Sequence, residues 1–280
     1  MSSVEVGIHD AMHELTSAEK RAARALLGNY PTIGLGPVLE FASGAGVSAA
    51  TVLRFVARLG YASYPDFQRA LRRELEERVQ SPLRRGETGP PGVSQPEGFL
   101  DGFVERAIDN LRSSAARIPA SEFEAVCRKL AAAKGSCHLA GGRFTDPVAR
   151  YMEAHLRVVR PGVRRLEERM ASRRDQLLDI NPGDLVILFD VRRYDPQLME
   201  LARTLKELRA FPILITDEWI SPVSRYAKVV LPCQTATGRV WDSNAALFVL
   251  VEAIIARTTE LSWARAEPRI ARFEPGDPVS

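Results

Sequence analysis

Apolar residues along the first eighty positions recur at helical spacing. Ile8, Ala11, Met12 and Leu15 form one stripe, and Ala22, Ala23, Leu26 and Leu27 form a second. Thr16-Ser17-Ala18-Glu19 supplies capping residues for a helix starting near Ser17, and Asn29-Tyr30-Pro31 ends it. Val38, Leu39, Phe41 and Ala42 mark a short helix that runs into Ser43-Gly44-Ala45-Gly46-Val47. The next helix starts at Ser48, whose hydroxyl suits a cap, and stops at Gly60. Val52, Phe55, Val56 and Leu59 recur along it as a packing face. Tyr64-Pro65-Asp66 then opens a helix from Phe67 to Val79.

No apolar periodicity survives over 81–97, where Pro82, Pro90, Pro91 and Pro96 alternate with glycines; this reads as an interdomain linker. Beyond it the pattern changes. Helices are predicted over Phe99–Ile118 and over Ser121–Lys134, the latter with a capping box at Ser121 and Glu124. Short continuous apolar runs follow at 137–140, 185–189, 212–216 and 228–231, with a weaker one near 163–166. Amphipathic stretches separate them at 147–158, 173–180, 196–209 and 221–226, and a last helix covers Ser243–Arg257. Apolar runs alternating with helices imply a parallel sheet buried on both faces. The fold expected is an all-α helix-turn-helix domain over 1–80, the linker, and a doubly wound α/β domain of about five parallel strands over 98–260. Residues 261–280 read as a tail.

Composition refines this only a little. The chain has 280 residues, 45% hydrophobic and 26% charged, with a net charge of +3. Residues 1–85 hold eleven Lys/Arg against nine Asp/Glu, so any signal for nucleic acid lies in placement rather than bulk charge. Cys127, Cys137 and Cys233 are scattered without a CxxC pair, which argues against a zinc site or a disulfide framework. No metal or cofactor is expected. The run Ala245–Ala256 is too short to span a bilayer, which needs roughly 20 residues, and the N-terminus has no basic-then-apolar leader pattern. A cytoplasmic protein without membrane partners is the expectation.

Two helices joined by a short glycine-containing turn are the layout of a helix-turn-helix, whose second helix enters the DNA major groove. Thr51, Arg54 and Arg58 fall on one face of that second helix, with Ala49 and Ala50 near its tip. Small tip residues allow close backbone approach, Thr51 can touch a base edge, and the arginines can reach guanine or phosphate. Ser48, Ala49, Thr51, Arg54 and Arg58, with Arg69, Arg72 and Arg73 on the following helix, are the candidate contacts to double-stranded operator DNA. The alternative is a generic helical bundle with solvated arginines.

The quoted residues carry a resemblance. Gly46-Val47-Ser48, Thr51-Val52-Leu53-Arg54-Phe55, Leu59-Gly60-Tyr61 and Tyr64-Pro65-Asp66-Phe67 resemble the N-terminal domain of RpiR/MurR-family bacterial transcriptional regulators over roughly Leu15–Leu75. The resemblance implies a C-terminal SIS (sugar isomerase) domain that binds phosphosugars through Ser- and Gly-rich loops, and a homodimer or homotetramer on an inverted-repeat operator. The chain departs from that pattern in two loops. After the first strand it keeps Gly141-Gly142 but continues Arg143-Phe144-Thr145-Asp146. Where the family usually shows Ser-x-Ser-Gly, it has Asp190-Val191-Arg192-Arg193-Tyr194-Asp195.

In a doubly wound sheet the ligand crevice lies beyond the carboxyl ends of the strands. Gly141, Gly142, Arg143, Thr145, Asp190, Arg192, Arg193, Asp217 and Ser243 are therefore the candidate effector contacts. The two loop arginines suit a carboxylate or phosphate. Asp190 and Asp195 could instead neutralise them, within the loop or across a subunit interface. A small anionic metabolite other than a standard phosphosugar is the effector expected. Trp219 and Trp241 read as packing residues, and His138 as a satisfied core residue. The rival class is a sugar-phosphate isomerase on the same fold, with Glu218 or Glu252 as the available base; no residue sits in a pattern that forces a catalytic role. A third reading gives the SIS domain dimerisation alone.

Overall fold

The computed structural model describes residues 4–28, 30–79, 98–132, 134–167 and 170–273. The expected linker, 81–97, lies outside the described residues. The chain divides into two compact units; among the described residues the first comprises 4–79 with Glu218–Ile220, and the second the remainder.

Among the described residues the first unit holds six helices: α1 (Val4–Ala11), α2 (Ser17–Gly28), α3 (Thr32–Leu35), α4 (Val38–Gly44), α5 (Ala49–Arg58) and α6 (Tyr64–Val79). Their apolar stripes meet in one core, in which Ile8, Leu26, Phe41, Phe55, Phe67 and Leu71 are fully buried. Phe41 and Phe55 pack edge to face at 6.4 Å, fixing α4 against α5. The chain bends by 99° between those helices. Gly46 makes the bend: its φ of +61° is a left-handed conformation that side chains resist. The amides of Gly46 and Val47 then close back onto the carbonyls of Ser43 and Ala42. At α2, Thr16 and Glu19 form a reciprocal cap, with the Thr16 amide donating to the carboxylate at 2.9 Å and the Glu19 amide to the Thr16 hydroxyl at 3.4 Å.

The second unit begins with α7 (Phe99–Arg117) and α8 (Ala120–Ala131). The capping box expected at Ser121 and Glu124 does not form. The helix starts one residue earlier behind Pro119, and Glu124 reaches Arg257 at 2.8 Å instead. Five parallel strands follow: β1 (Cys137–Gly141), β2 (Val163–Arg165), β3 (Leu185–Asp190), β4 (Phe211–Asp217) and β5 (Val229–Cys233), in the order β2-β1-β3-β4-β5. Between them run α9 (Asp146–Val159), α10 (Met170–Leu177), α11 (Pro196–Glu207) and a 3-10 turn, Pro222–Arg225. Alternate strand residues serve opposite layers. Leu185, Ile187 and Phe189 pack with α8, α9 and α12 (Ala245–Leu261), while Val186 and Leu188 pack with α11.

Two expectations change here. Residues 263–273, expected within a tail, form helix α13 (Trp263–Phe273). Ala266 is fully buried, and Arg269 donates to the α9 carbonyls of Val158 (3.0 Å) and Arg157 (2.5 Å). A helix C-terminus presents free carbonyls, so the guanidinium caps α9. His138, expected to be a satisfied core residue, is buried with neither ring nitrogen hydrogen-bonded among the described residues. Burial holds its pKa below the ordinary value, against the pull of Asp184 at 3.9 Å.

Candidate functional site

In the first unit, the side chains of α5 divide into two arcs. Val52, Phe55 and Val56 are buried, and Ala50, Leu53, Arg54, Ala57 and Arg58 are exposed. Ser48 caps the helix: its hydroxyl accepts from the Thr51 amide at 3.2 Å. Thr51 corrects an expectation: it borders Arg54 and Arg58 but is buried rather than presented with them. It is 5% exposed, and its hydroxyl lies 2.9 Å from that of Ser48 and accepts from Arg54 at 3.2 Å. Arg54 is thus held along the helix with its remaining donors outward. Arg58 is half exposed and pairs with the buried carboxylate of Glu19 at 3.2 Å. Leu53, absent from the expected set, is 46% exposed on the same arc, where its i−3 and i+4 neighbours, Ala50 and Ala57, are also exposed. Arg69, Arg72 and Arg73 are exposed along α6, with Arg69 paired to Asp66.

In the second unit, the strand order reverses direction between β1 and β3, and a crevice opens beyond the carboxyl ends of strands that flank such a point. The β1 side is built on Gly141. A Cβ there would lie 2.5 Å from the Asp146 amide nitrogen, so only glycine admits the tight turn into α9. Thr145 closes that turn. Its hydroxyl accepts from the Gly142 amide at 2.9 Å and donates to the Phe189 carbonyl at 2.6 Å. Thr145 is 1% exposed and its hydrogen bonds are spent inside the loop.

The β3 side answers the question posed by its four charges. Among the described residues, neither Asp190 nor Asp195 pairs with Arg192 or Arg193. The buried Asp190 carboxylate accepts from the Ser221 hydroxyl and from the Asp195 amide at 3.1 Å. Burial pushes its pKa up to about 6, opposed by those hydrogen bonds. Asp195 caps α11 by accepting from the Gln197 amide at 2.8 Å. Asp217 accepts from the Arg192 amide at 2.5 Å and the Tyr194 hydroxyl at 2.9 Å. The Arg192 side chain turns inward, its Nε 3.4 Å from Asp242. Ser243 accepts from the Ala245 amide at 3.2 Å, capping the start of α12.

Arg193 points the other way. Its φ of +68° turns it out of the loop, and its guanidinium lies 5.3 Å from the Phe144 ring centre and 5.7 Å from that of Trp241. Arg143 lies 5.4 Å from Phe144. Trp241, expected as a packing residue, is 58% exposed and meets Phe144 edge to face at 5.9 Å. A cavity of about 270 Å³ opens here, lined by Gly142, Arg143, Phe144, Asp190, Arg192 and Arg193 among others. The loops thus bring Gly142, Arg143, Asp190, Arg192 and Arg193 together. Asp217 stands behind them as a support, Gly141 and Thr145 shape the turn, and Ser243 caps a neighbouring helix. Among the described residues no group of His, Cys, Asp and Glu could hold a metal ion, and no single helix is long and apolar enough to cross a membrane.

Both units have recognisable relatives. Residues 3–78 match the helix-turn-helix domain of the rpiR family, and residues 129–257 match the SIS domain. This chain is an rpiR-family helix-turn-helix domain joined to a SIS domain. The helix-turn-helix domain is 35% identical over 68 residues to an uncharacterised HTH-type transcriptional regulator of Providencia stuartii; the match spans 24% of this chain and 24% of that relative. Among solved structures, the sugar isomerase domain of an RpiR transcription factor from Sphaerobacter thermophilus is 21% identical, with a TM-score of 0.59, covering 64% of this chain and 99% of that one. The Vibrio vulnificus NanR protein, solved with ManNAc-6P, is 16% identical with a TM-score of 0.55, covering 97% of this chain and 96% of NanR. At these identities the likeness to the SIS structures is one of fold.

Proposed function

We propose that this chain is a DNA-binding transcriptional regulator whose SIS crevice senses a small anionic metabolite and thereby alters operator binding. The observation that carries the reading is the pairing, on one chain, of the exposed Arg54–Arg58 arc with a crevice at the sheet's reversal point. Arg54 and Arg58 offer forked donors for guanine or phosphate. The crevice offers Arg143 and Arg193, which make no ion pair among the described residues. NanR's structure with ManNAc-6P supports treating a SIS domain attached to such a helix-turn-helix as a small-molecule sensor. A two-fold dimer would set two recognition helices on successive major-groove faces, so an inverted-repeat operator follows. The effector acts only as far as it binds one arrangement of the dimer more tightly than another.

Selection of bound fragments from random duplex DNA, followed by fluorescence anisotropy of the full chain on the selected operator with and without anions, tests this. Specific binding to a palindromic site that shifts with an anion supports the proposal; salt-dependent binding without sequence preference overturns it. Of the two carboxylates the isomerase reading offers, Glu252 is turned away from that role: it accepts from the Tyr151 hydroxyl at 2.9 Å, between α9 and α12 and two turns from the Asn244 end that borders the crevice.

A further inference from the structure

The crevice mouth holds one feature that anion binding alone does not explain. Phe144 and Trp241 are 42% and 58% exposed, lie edge to face at 5.9 Å, and share the guanidinium of Arg193. Exposed aromatic pairs of this kind are unusual on a surface unless something covers them. Both are anchored from behind: the Phe144 carbonyl accepts from the Asn244 side chain at 2.9 Å, and the Trp241 carbonyl from the Thr237 hydroxyl at 2.6 Å. Arg193 is a non-glycine residue in the left-handed region, a conformation retained at cost where it places a side chain.

The donors present select among anions. A phosphate dianion is normally cradled by several converging amides. Here the amides of Gly142, Arg192 and Asp195 are already bonded to Thr145, Asp217 and Asp190. The side-chain donors at the mouth are the guanidiniums of Arg193 and Arg143, both lying over the Phe144 ring. Stacking occupies the face of a guanidinium and leaves its edge, whose fork matches a planar carboxylate. Beside that edge stand two aromatic rings, and the one hydroxyl in the cavity lining, that of Thr145, is already bonded to Gly142 and Phe189, a poor surface for a polyhydroxy sugar and a good one for an apolar ring. Phe144 and Arg193 line the cavity of about 270 Å³, which admits only a small molecule, and Trp241 adjoins it through its contacts with both.

We infer that the effector is a small aromatic carboxylate, its carboxylate held by the outer edge of Arg193 and its ring packed on Phe144 and Trp241. The inference rests on the crevice being the effector site, as proposed above.

Calorimetric titration of the full-length protein with phenylacetate, benzoate, gluconate and glucose 6-phosphate tests it. The aryl carboxylates should bind at least tenfold more tightly than gluconate or glucose 6-phosphate, and quench a tryptophan signal that Trp241→Phe removes. Arg193→Gln and Trp241→Ala should each weaken aryl binding about tenfold. Arg193→Gly, which suits the left-handed backbone, guards against loss through misfolding and should weaken it equally. Binding of gluconate or glucose 6-phosphate without aryl carboxylates overturns this inference and leaves the sensing role standing. Aryl binding unchanged in all three variants overturns the assigned contacts. Failure of every anion to bind overturns the inference together with the sensing role of the crevice.

Discussion

Arg58, on the exposed arc of the recognition helix, reaches across to the buried carboxylate of Glu19 at 3.2 Å, so a residue expected to read DNA also fastens α5 to α2. Glu19 also accepts from the amide and hydroxyl of Thr16 at 2.9 and 2.8 Å. Burial alone would raise its pKa; these hydrogen bonds and the charge of Arg58 hold it below the ordinary value.

A carboxylate with a depressed folded-state pKa stabilises the fold above its unfolded value, and that stabilisation is lost as pH falls through the folded value. Glu19→Gln should therefore cost about 2 kcal/mol at pH 7. The gap to the parent protein should shrink below the ordinary carboxylate range near pH 4.5. Denaturant melts at pH 7 and pH 3.5 measure both.

Asp190 has the opposite sign. Its folded pKa of about 6 exceeds its ordinary value of 3.8, so ionisation penalises the fold, fully so above pH 6 and not at all below about 3.8. Asp190→Asn, whose amide can still accept from Asp195 and face Ser221, should raise stability at pH 8 by about 1–2 kcal/mol. Thermal melts from pH 4 to 8 should show that gain vanish as the solution is acidified.

Ser48, Thr51 and Arg54 should separate folding from reading. Ser48→Ala removes the cap of α5 and should cost about 1 kcal/mol of stability. Thr51→Val should likewise lower the melting temperature more than it changes operator preference. Arg54→Ala should leave stability nearly intact and weaken specific operator binding by about 1–3 kcal/mol. Anisotropy titrations against specific and scrambled duplexes, alongside melts, check all three.

Truncation after Leu261 removes α13, and with it the buried Ala266 and the Arg269 cap on α9. It should lower the calorimetric melting temperature by several degrees, on the order of 1–3 kcal/mol. A dispensable tail would leave the melt unmoved.

The strands and most helices could be read directly because burial on both faces makes a strand continuously apolar and one-sided burial gives a helix a stripe. Thr51 borders both arcs, so helical spacing alone places it with either. At 100° per residue it stands about 40° from Phe55 and about 20° from Arg58, and periodicity cannot divide so fine an angle. Helix α13 was hidden by Pro268 in its interior, a residue that ordinarily ends a helix. The Asp190–Asp195 loop was visible as a cluster of charge, but its meaning was not. Which way Arg192 and Arg193 point depends on one left-handed backbone angle and on Asp217, a residue distant in sequence.

The occupied amides around the crevice bear on how such a sensor could change its ligand. Replacing Arg192 and Arg193 by serines would restore the look of a phosphate loop and not its grip. The amides of Arg192, Asp195 and Gly142 would stay fastened to Asp217, Asp190 and Thr145. In the proposed sensor, discrimination between anions would rest partly on the peptide backbone, through the side chains that hold those amides.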